Sequence, residues 1–214
     1  MRVRWIGLAL ALALVGGATG YVVGRTTLDD PASIAGARPL PAVSPSYPVN
    51  EYVVQPDPGI APLAPDLPLQ TAKFRAGGEA MTASVPVGWR RAPLQGRDSW
   101  NFADPDNPKN TYLLRIGIDA GDRVSLTVAR ESRITALEDA ETNGAIEHLV
   151  IEERADDGFT ATYLDNGYQR VAMERWLPQP DSAQAFAAVA ITGRESDREG
   201  LADLLERVAA SADY

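Results

Sequence analysis

Prolines crowd one segment of the chain and limit where a folded core can form. Ten of the sixteen prolines lie between residues 25 and 70, namely Pro31, Pro39, Pro41, Pro45, Pro48, Pro56, Pro58, Pro62, Pro65 and Pro68. Proline removes an amide donor and biases the preceding residue toward extended conformations, so this composition predicts a polyproline-like or disordered linker over residues 26–70. Only residues 50–54 have a pattern that could dock as a short strand.

The prolines could instead form a ligand for a proline-reading module, but no basic residue accompanies them after Arg38. A spacer is the favoured interpretation. The folded domain is therefore expected in residues 71–214.

An uncharged apolar run from Trp5 to Val23 precedes the prolines. About 20 such residues suffice to cross a bilayer as a helix. Arg2 and Arg4 before the run predict a cytoplasmic N-terminus and an extracytoplasmic domain. A cleaved secretory signal ending near Gly20 is the alternative, although apolar residues resume after that position. Residues 1–25 are predicted to be a membrane anchor.

The chain contains no cysteine. Disulfides therefore cannot stabilise an exported domain, and the lipid-acceptor cysteine of bacterial lipoproteins is missing. Residues 71–214 are enough for one ordinary hydrophobic core, so we expect a single domain.

Several strands are predicted from alternating apolar residues and turn signals. These are residues 73–76, 80–85, 112–118, 146–154, 159–164 and 169–177, together with a short aromatic strand around Trp100 and Phe102. Gly77-Gly78 is best interpreted as a turn, and Asn166-Gly167 supplies the positive φ angles of a tight hairpin. The run from Ala185 to Ile191 is apolar at every position, which predicts a central strand covered on both faces.

Two helices complete the prediction. Residues 122–140 carry both strand-like and helix-like patterns, and the later Ile134 and Leu137 favour a helix that stops at Asn143-Gly144. In the last segment Leu201, Leu204, Leu205 and Val208 recur at helical spacing, and Ser196 with Glu199 has the form of a capping box. The predicted fold class is α+β, an antiparallel sheet with packed helices.

Three features together resemble a known group of proteins. They are Val85-Pro86-Val87-Gly88-Trp89, the aromatic strand around Trp100 and Phe102, and the apolar strand that leads into the final helix. This pattern resembles actinobacterial exported proteins with a PsbP-like α/β/α sandwich. The resemblance implies a sandwich domain tethered by one membrane helix and a proline-rich spacer. It implies a binding or assembly module and supplies no catalytic residues.

Two sets of polar residues are candidates for chemistry. His148 is the only histidine, and without a nucleophile elbow it is expected to be a surface or hydrogen-bonded strand residue. Asp104, Asp106, Asn107 and Asn110 place oxygen ligands in one loop, as Ca²⁺ prefers, but the glycine and terminal glutamate of a calcium loop are missing. A rigid proline turn is the favoured interpretation.

Carboxylates are abundant, and the formal net charge of the chain is −9. An acid and base pair could come from Glu138, Asp139, Glu141, Glu152, Glu153, Asp156 and Asp157, although these positions are typical of solvated charges. The acidic balance argues against binding nucleic acid or anionic lipid. No metal, cofactor or catalytic residue is assigned.

Gly16, Gly20 and Gly24 recur every fourth residue in the apolar run, where two helices could approach closely and form a homodimer. The favoured hypothesis is a non-enzymatic, membrane-tethered extracytoplasmic module that binds an envelope protein or a small ligand. The alternatives are an envelope hydrolase with a carboxylate pair and a purely structural protein. A pocket lined by Trp89, Trp100 or Trp176 would favour ligand binding.

Overall fold

The structure is a computed structural model, and it describes residues 52–57, 59–107, 111–119 and 123–214. The predicted anchor, the glycines within it and residues 26–51 of the predicted linker lie outside the described residues. No helix in the described part of the chain is long and apolar enough to span a membrane.

The described residues form strands and helices in the following order: β1 (Leu69–Ala76), β2 (Glu79–Pro86), β3 (Arg90–Pro93), β4 (Ser99–Ala103), β5 (Leu113–Ile118), α1 (Leu126–Thr142), β6 (Glu147–Arg154), β7 (Gly158–Asp165), β8 (Tyr168–Pro178), β9 (Ala185–Gly193) and α2 (Arg198–Ala210). Strands β3 to β9 build one antiparallel sheet in the order β3-β4-β5-β9-β8-β7-β6. β1 and β2 pair as a separate hairpin. The α+β prediction of an antiparallel sheet with packed helices is confirmed.

Tight turns with positive φ close two of the hairpins. Gly77 and Gly78 have φ angles of 55° and 92°, and Asn166 and Gly167 have φ angles of 51° and 81°. Positive φ at both central residues matches the right-handed twist of the flanking strands. Both turn predictions are confirmed.

The sheet has a hydrophobic cluster on each face. On one face, α2 and the β1-β2 hairpin cover side chains that alternate along β5 and β9, such as Leu114, Ile116, Val189 and Ile191. On the other face, α1 packs on β6, β7 and β8 through Ile134 and Leu137. Each helix therefore covers a different part of the sheet.

Both helices form where they were predicted, but one start signal differs. The Ser125 hydroxyl accepts a hydrogen bond from the Val128 amide, and α1 stops at Asn143 before Gly144, whose φ is 70°. The predicted Ser196 and Glu199 capping box of α2 is wrong. A 3₁₀ turn over Glu195–Asp197 precedes α2, and the buried carboxylate of Asp197 accepts the Arg194 amide.

Residues 52–57 and 59–68, here called the strap, form no helix or strand and lie along the folded unit. The Gln55 amide donates to the Gly167 carbonyl at 2.9 Å beside the β7-β8 turn. Of the residues predicted to dock as a short strand, residues 52–54 form no strand, and residues 50 and 51 lie outside the described residues. Further along, Leu63 is buried in the main core and Arg207 donates to the Leu67 carbonyl at 2.9 Å. The compact unit that these contacts form spans Tyr52–Tyr214, and the predicted domain of residues 71–214 lies within it.

A buried ion pair holds the strap in place. Arg194 and Asp197 lie 2.6 Å apart, with side chains 2% and 0% exposed. Arg194 also donates to the carbonyls of Ile60 and Ala61, and Asp197 accepts the Leu63 amide at 2.8 Å. Because side chains of the domain supply the partners that a sheet ladder would otherwise provide, a proline-rich segment can pack here without secondary structure.

Candidate binding cleft

His148 lies on the surface, as predicted. It is exposed on edge strand β6, its φ is 53°, and its ring stacks on Tyr52 of the strap with centroids 3.9 Å apart. Its nearest aromatic neighbour is thus part of the strap.

The oxygen-rich loop is held by its own hydrogen bonds. Asp104 accepts the Asp106 amide at 2.9 Å and the Tyr112 hydroxyl at 3.0 Å, and Asn107 exchanges two hydrogen bonds with Thr111. Asn110 lies outside the described residues. These hydrogen bonds engage the side chains of Asp104 and Asn107 within the described part of the loop.

The predicted carboxylates are dispersed over the surface. Glu141 caps the Leu149 amide at 2.8 Å, near the end of α1 where Glu138 and Asp139 also lie. Asp157 pairs with Arg175 at 2.7 Å, beside Asp156 in the β6-β7 turn.

Glu152 and Glu153 come together on another surface, a groove of about 500 Å³ between α2 and the β6-β7-β8 strands. A bulge in β6 between Ile151 and Glu153 lets these consecutive residues face the same groove. Arg198 donates to both oxygens of Glu152, and this hydrogen bonding lowers the pKa of Glu152. Glu152 is therefore held as an ionised partner of arginine.

The tryptophans do not share a pocket. Trp89 stacks on Tyr112, Trp100 packs against Phe74, and Trp176 stacks on Phe159 at the other face of the sheet. Trp176 lines a cleft between β4, β5 and β9.

Part of the sheet face beside α1 is left uncovered by that helix. α1 lies over β6, β7 and β8, and the neighbouring face of β9 and β5 is not covered by it. Small residues of β9, Ala188 and Ala190, face this side and are only half-buried. The prediction that β9 is central is confirmed, since it lies between β5 and β8, but α1 does not cover its whole second face.

A cleft of about 250 Å³, here called the arginine cleft, occupies one end of this uncovered face. It is lined by Thr111, Leu113, Arg115, Arg133, Tyr163, Asp165, Arg170, Glu174, Ala190 and Thr192. The strand register explains its depth, because Arg115 pairs with Ala190 and Ala190 pairs with Glu174. Arg115 and Glu174 are therefore two strand spacings apart, about 10 Å, and the side chain between them is the methyl group of Ala190.

Two of the three arginines in this cleft have carboxylate partners. Arg133 of α1 donates to Glu174 at 2.7 Å, and Arg170 donates to Asp57 of the strap at 2.8 Å. Glu174 is 7% exposed, so its pairing with Arg133 compensates a charge that burial would otherwise penalise.

Arg115 differs from its neighbours. Its Nε donates to the Asn101 side chain at 3.1 Å, and it forms no ion pair with any carboxylate of the described residues. Burial lowers the pKa of Arg115, and the positive charge of Arg133 lowers it further, while the negative charge of Glu174 opposes both effects. The guanidinium remains charged, but its charge is less well compensated than those of Arg133 and Arg170.

Hydroxyl groups complete the cleft. Burial raises the pKa of the Tyr163 hydroxyl, and the adjacent Thr192 offsets part of that rise. Asp165 lies at the exposed rim and accepts a hydrogen bond from the Asn166 side chain at 2.7 Å. The arrangement combines a guanidinium with neutral donors, which is suited to holding an anionic group.

Sequence reasoning did not identify the arginine cleft. Arg115 occupies an ordinary outward position of the half-buried strand β5. A usable signal lay in β9, where small residues (Ala188, Ala190, Thr192) alternate with large ones (Val189, Ile191). A strand packed tightly on both faces would carry large residues on both.

No protein-family model and no curated protein matches the chain. Among solved structures, a mutant of the protein Mog1 is similar, with a TM-score of 0.46 and 9% identity over 69% of this chain and 96% of the other.

Proposed function

We propose that this chain is a non-enzymatic binding module and that it binds through the sheet face left uncovered by α1. The observation that carries the proposal is the arginine cleft, which places a partly buried guanidinium without a carboxylate partner among the described residues at an open surface. Arg115 is partly buried and its terminal nitrogens donate to no described residue, so a binding partner that supplies a negative charge would complete its interactions.

We also propose that the module is tethered to a membrane and lies outside the cytoplasm. The support is the apolar run from Trp5 to Val23 and the two arginines before it. The prolines of residues 26–51 would then act as the spacer, and the strap would join the spacer to the domain. Close packing at Gly16, Gly20 and Gly24 is proposed as the route to a homodimer.

Membership of the actinobacterial PsbP-like exported proteins is part of the same proposal. In residues 85–89, strand β2 ends at Pro86 and the chain turns at Gly88, whose φ is 82°. Trp89 then stacks on Tyr112. A helix on each face of an antiparallel sheet is compatible with such a sandwich.

Crosslinking in native membranes tests the binding proposal. A photoreactive residue at Ser99, beside the uncovered face, should capture a partner, whereas one at Val87, on the β2-β3 turn, should not. A reporter active only outside the cytoplasm, fused after Tyr214, tests the topology. Equal capture from both positions would remove the uncovered face as the binding surface.

The hydrolase alternative has one specific feature in its favour, the bulge that brings Glu152 and Glu153 to the same groove. The ion pair with Arg198 keeps Glu152 ionised and therefore unsuited to act as a general acid. Loss of a measured hydrolytic activity in Glu153→Gln would restore this alternative.

A further inference from the structure

Arg115 and its surroundings define the chemical class of ligand that the arginine cleft can take. This step rests on the proposed function, since it names the ligand of the same surface. A guanidinium presents parallel N–H donors that match the two oxygens of a carboxylate. Only its Nε is engaged, by Asn101, and its terminal nitrogens donate to none of the described residues.

The charge balance of the cleft limits the charge of that ligand. Arg133 pairs with Glu174, and Arg170 pairs with Asp57, whereas Arg115 has no ion pair among the described residues. With Asp165 at the exposed rim, the three arginines of the cleft face three carboxylates, so the formal charges balance. A site without an excess of positive charge favours a monoanion over a dianion such as phosphate.

The fold already contains an example of carboxylate recognition at this place. Arg170 in the cleft wall holds the Asp57 carboxylate of the strap at 2.8 Å, with side chains 14% and 26% exposed. Arg115 stands across the same cleft without an equivalent partner. The Tyr163 and Thr192 hydroxyl groups lie on the same lining, where they can hydrogen-bond to a second polar atom of a ligand.

We propose that the arginine cleft binds the carboxylate group of a small monoanionic ligand, with Arg115 as the principal contact. The cleft volume of about 250 Å³ admits a small acid or the last residue of a peptide chain. Both sources present the same group, so they are distinguished by experiment.

The test uses ligand-observed NMR on the full chain in a mild detergent. The probes are sodium acetate, the dipeptide N-acetyl-alanyl-alanine, the C-terminal amide of that dipeptide, and inorganic phosphate. At least one carboxylate should bind, and the amide should bind about tenfold more weakly or worse than the acid, because it lacks the charge. If acetate binds as tightly as the dipeptide, the carboxylate that the cleft binds comes from a small acid. A dipeptide that binds about tenfold more tightly indicates a peptide C-terminus.

Variants connect the binding to Arg115. Arg115→Gln should weaken carboxylate binding by about 10- to 100-fold, and Arg115→Lys, which keeps the charge but loses the fork, should weaken it less. Arg90→Gln makes the same charge change at an exposed position of β3 and should leave binding unchanged within about twofold. Thermal melts of each variant establish that the fold is retained.

Three results would overturn the proposal: equal binding of acid and amide, a folded Arg115→Gln protein that binds like the wild type, or binding of phosphate alone. The experiments distinguish a wrong ligand class from a wrong binding surface. If no carboxylate binds but Ser99 still captures a partner in native membranes, the surface is correct and the ligand class is wrong.

Discussion

Replacing Arg194 by methionine should destabilise the domain strongly, because this side chain joins the strap to the fold. The substitution leaves Asp197 buried at 0% exposure without its cation, and it removes the donors to the Ile60 and Ala61 carbonyls. Breaking a buried ion pair by removing one partner typically costs about 3–5 kcal/mol. A domain of this size is normally stable by about 5–15 kcal/mol, so the variant should lose a large fraction of its stability.

The assay is chemical denaturation followed by tryptophan fluorescence, with thermal melts in parallel. The melting temperature of Arg194→Met should fall by about 6–20 °C. Arg198→Met is the matched control, because Arg198 also forms ion pairs, with Glu152 and Glu195, but its side chain is 35% exposed. Exposed pairs contribute about 0–1 kcal/mol, so this variant should melt within a few degrees of the wild type.

Equal melting of the two variants would refute the reasoning. It would mean that the strap contributes no stability, and that the Arg194 and Asp197 pair is energetically equivalent to a surface pair. A large loss confined to Arg194→Met would establish the strap as part of the domain.

Three further predictions concern stability. Burial alone would raise the pKa of Asp197, but hydrogen bonds from Arg194 and from the Leu63 amide outweigh burial and lower the pKa. The stability that this carboxylate contributes is therefore present above about pH 3.9, the pKa of an aspartate in the unfolded chain. It is lost as the pH falls through the lower pKa of Asp197 in the folded protein. Unfolding measured between pH 6 and 2 should therefore show less acid dependence in Asp197→Asn than in the wild type, and an unchanged profile would contradict this. A fragment of residues 71–214 lacks the buried Leu63 and should be less stable than a fragment of residues 52–214 by about 3 kcal/mol or more. Chemical denaturation of the two fragments measures this difference. Equal stability would support a domain boundary at residue 71. Leu204→Ala should lower the free energy of unfolding by about 2–5 kcal/mol because Leu204 is fully buried. The loss should be smaller for the half-buried Leu205→Ala and about 0.5 kcal/mol or less for the exposed His148→Ala. An unchanged melting temperature in Leu204→Ala would contradict the packing of α2 in the core.

Local patterns were enough to predict the two hairpin turns, both helices and every strand except the short, exposed β3. The Asn166-Gly167 turn is specified by two adjacent residues, and the buried stripe of α2 by residues three and four positions apart. Such signals depend only on neighbours in sequence, so the sequence alone carries them. The capping box was wrong because Asp197, which lies between Ser196 and Glu199, takes the structural role through a buried contact to the strap.

The strap and the arginine cleft depend on contacts between distant residues. The bond from the Leu63 amide to Asp197 joins positions 134 apart, and a proline-rich segment has the same composition whether it packs or not. The cleft exists because β9 lies between β5 and β8, which puts Ala190 between Arg115 and Glu174. Strand order is a property of the whole sheet, so no local pattern in β5 distinguishes Arg115 from an ordinary surface arginine.

Crosslinking from Ser99 in native membranes, compared between the wild type and Arg115→Gln, tests the proposed binding function most directly. The account predicts that the wild type and Arg90→Gln capture the same partner or ligand, and that Arg115→Gln, folded to the same melting temperature, loses about nine-tenths or more of that product. An undiminished product in Arg115→Gln would contradict the claim that binding depends on the arginine cleft.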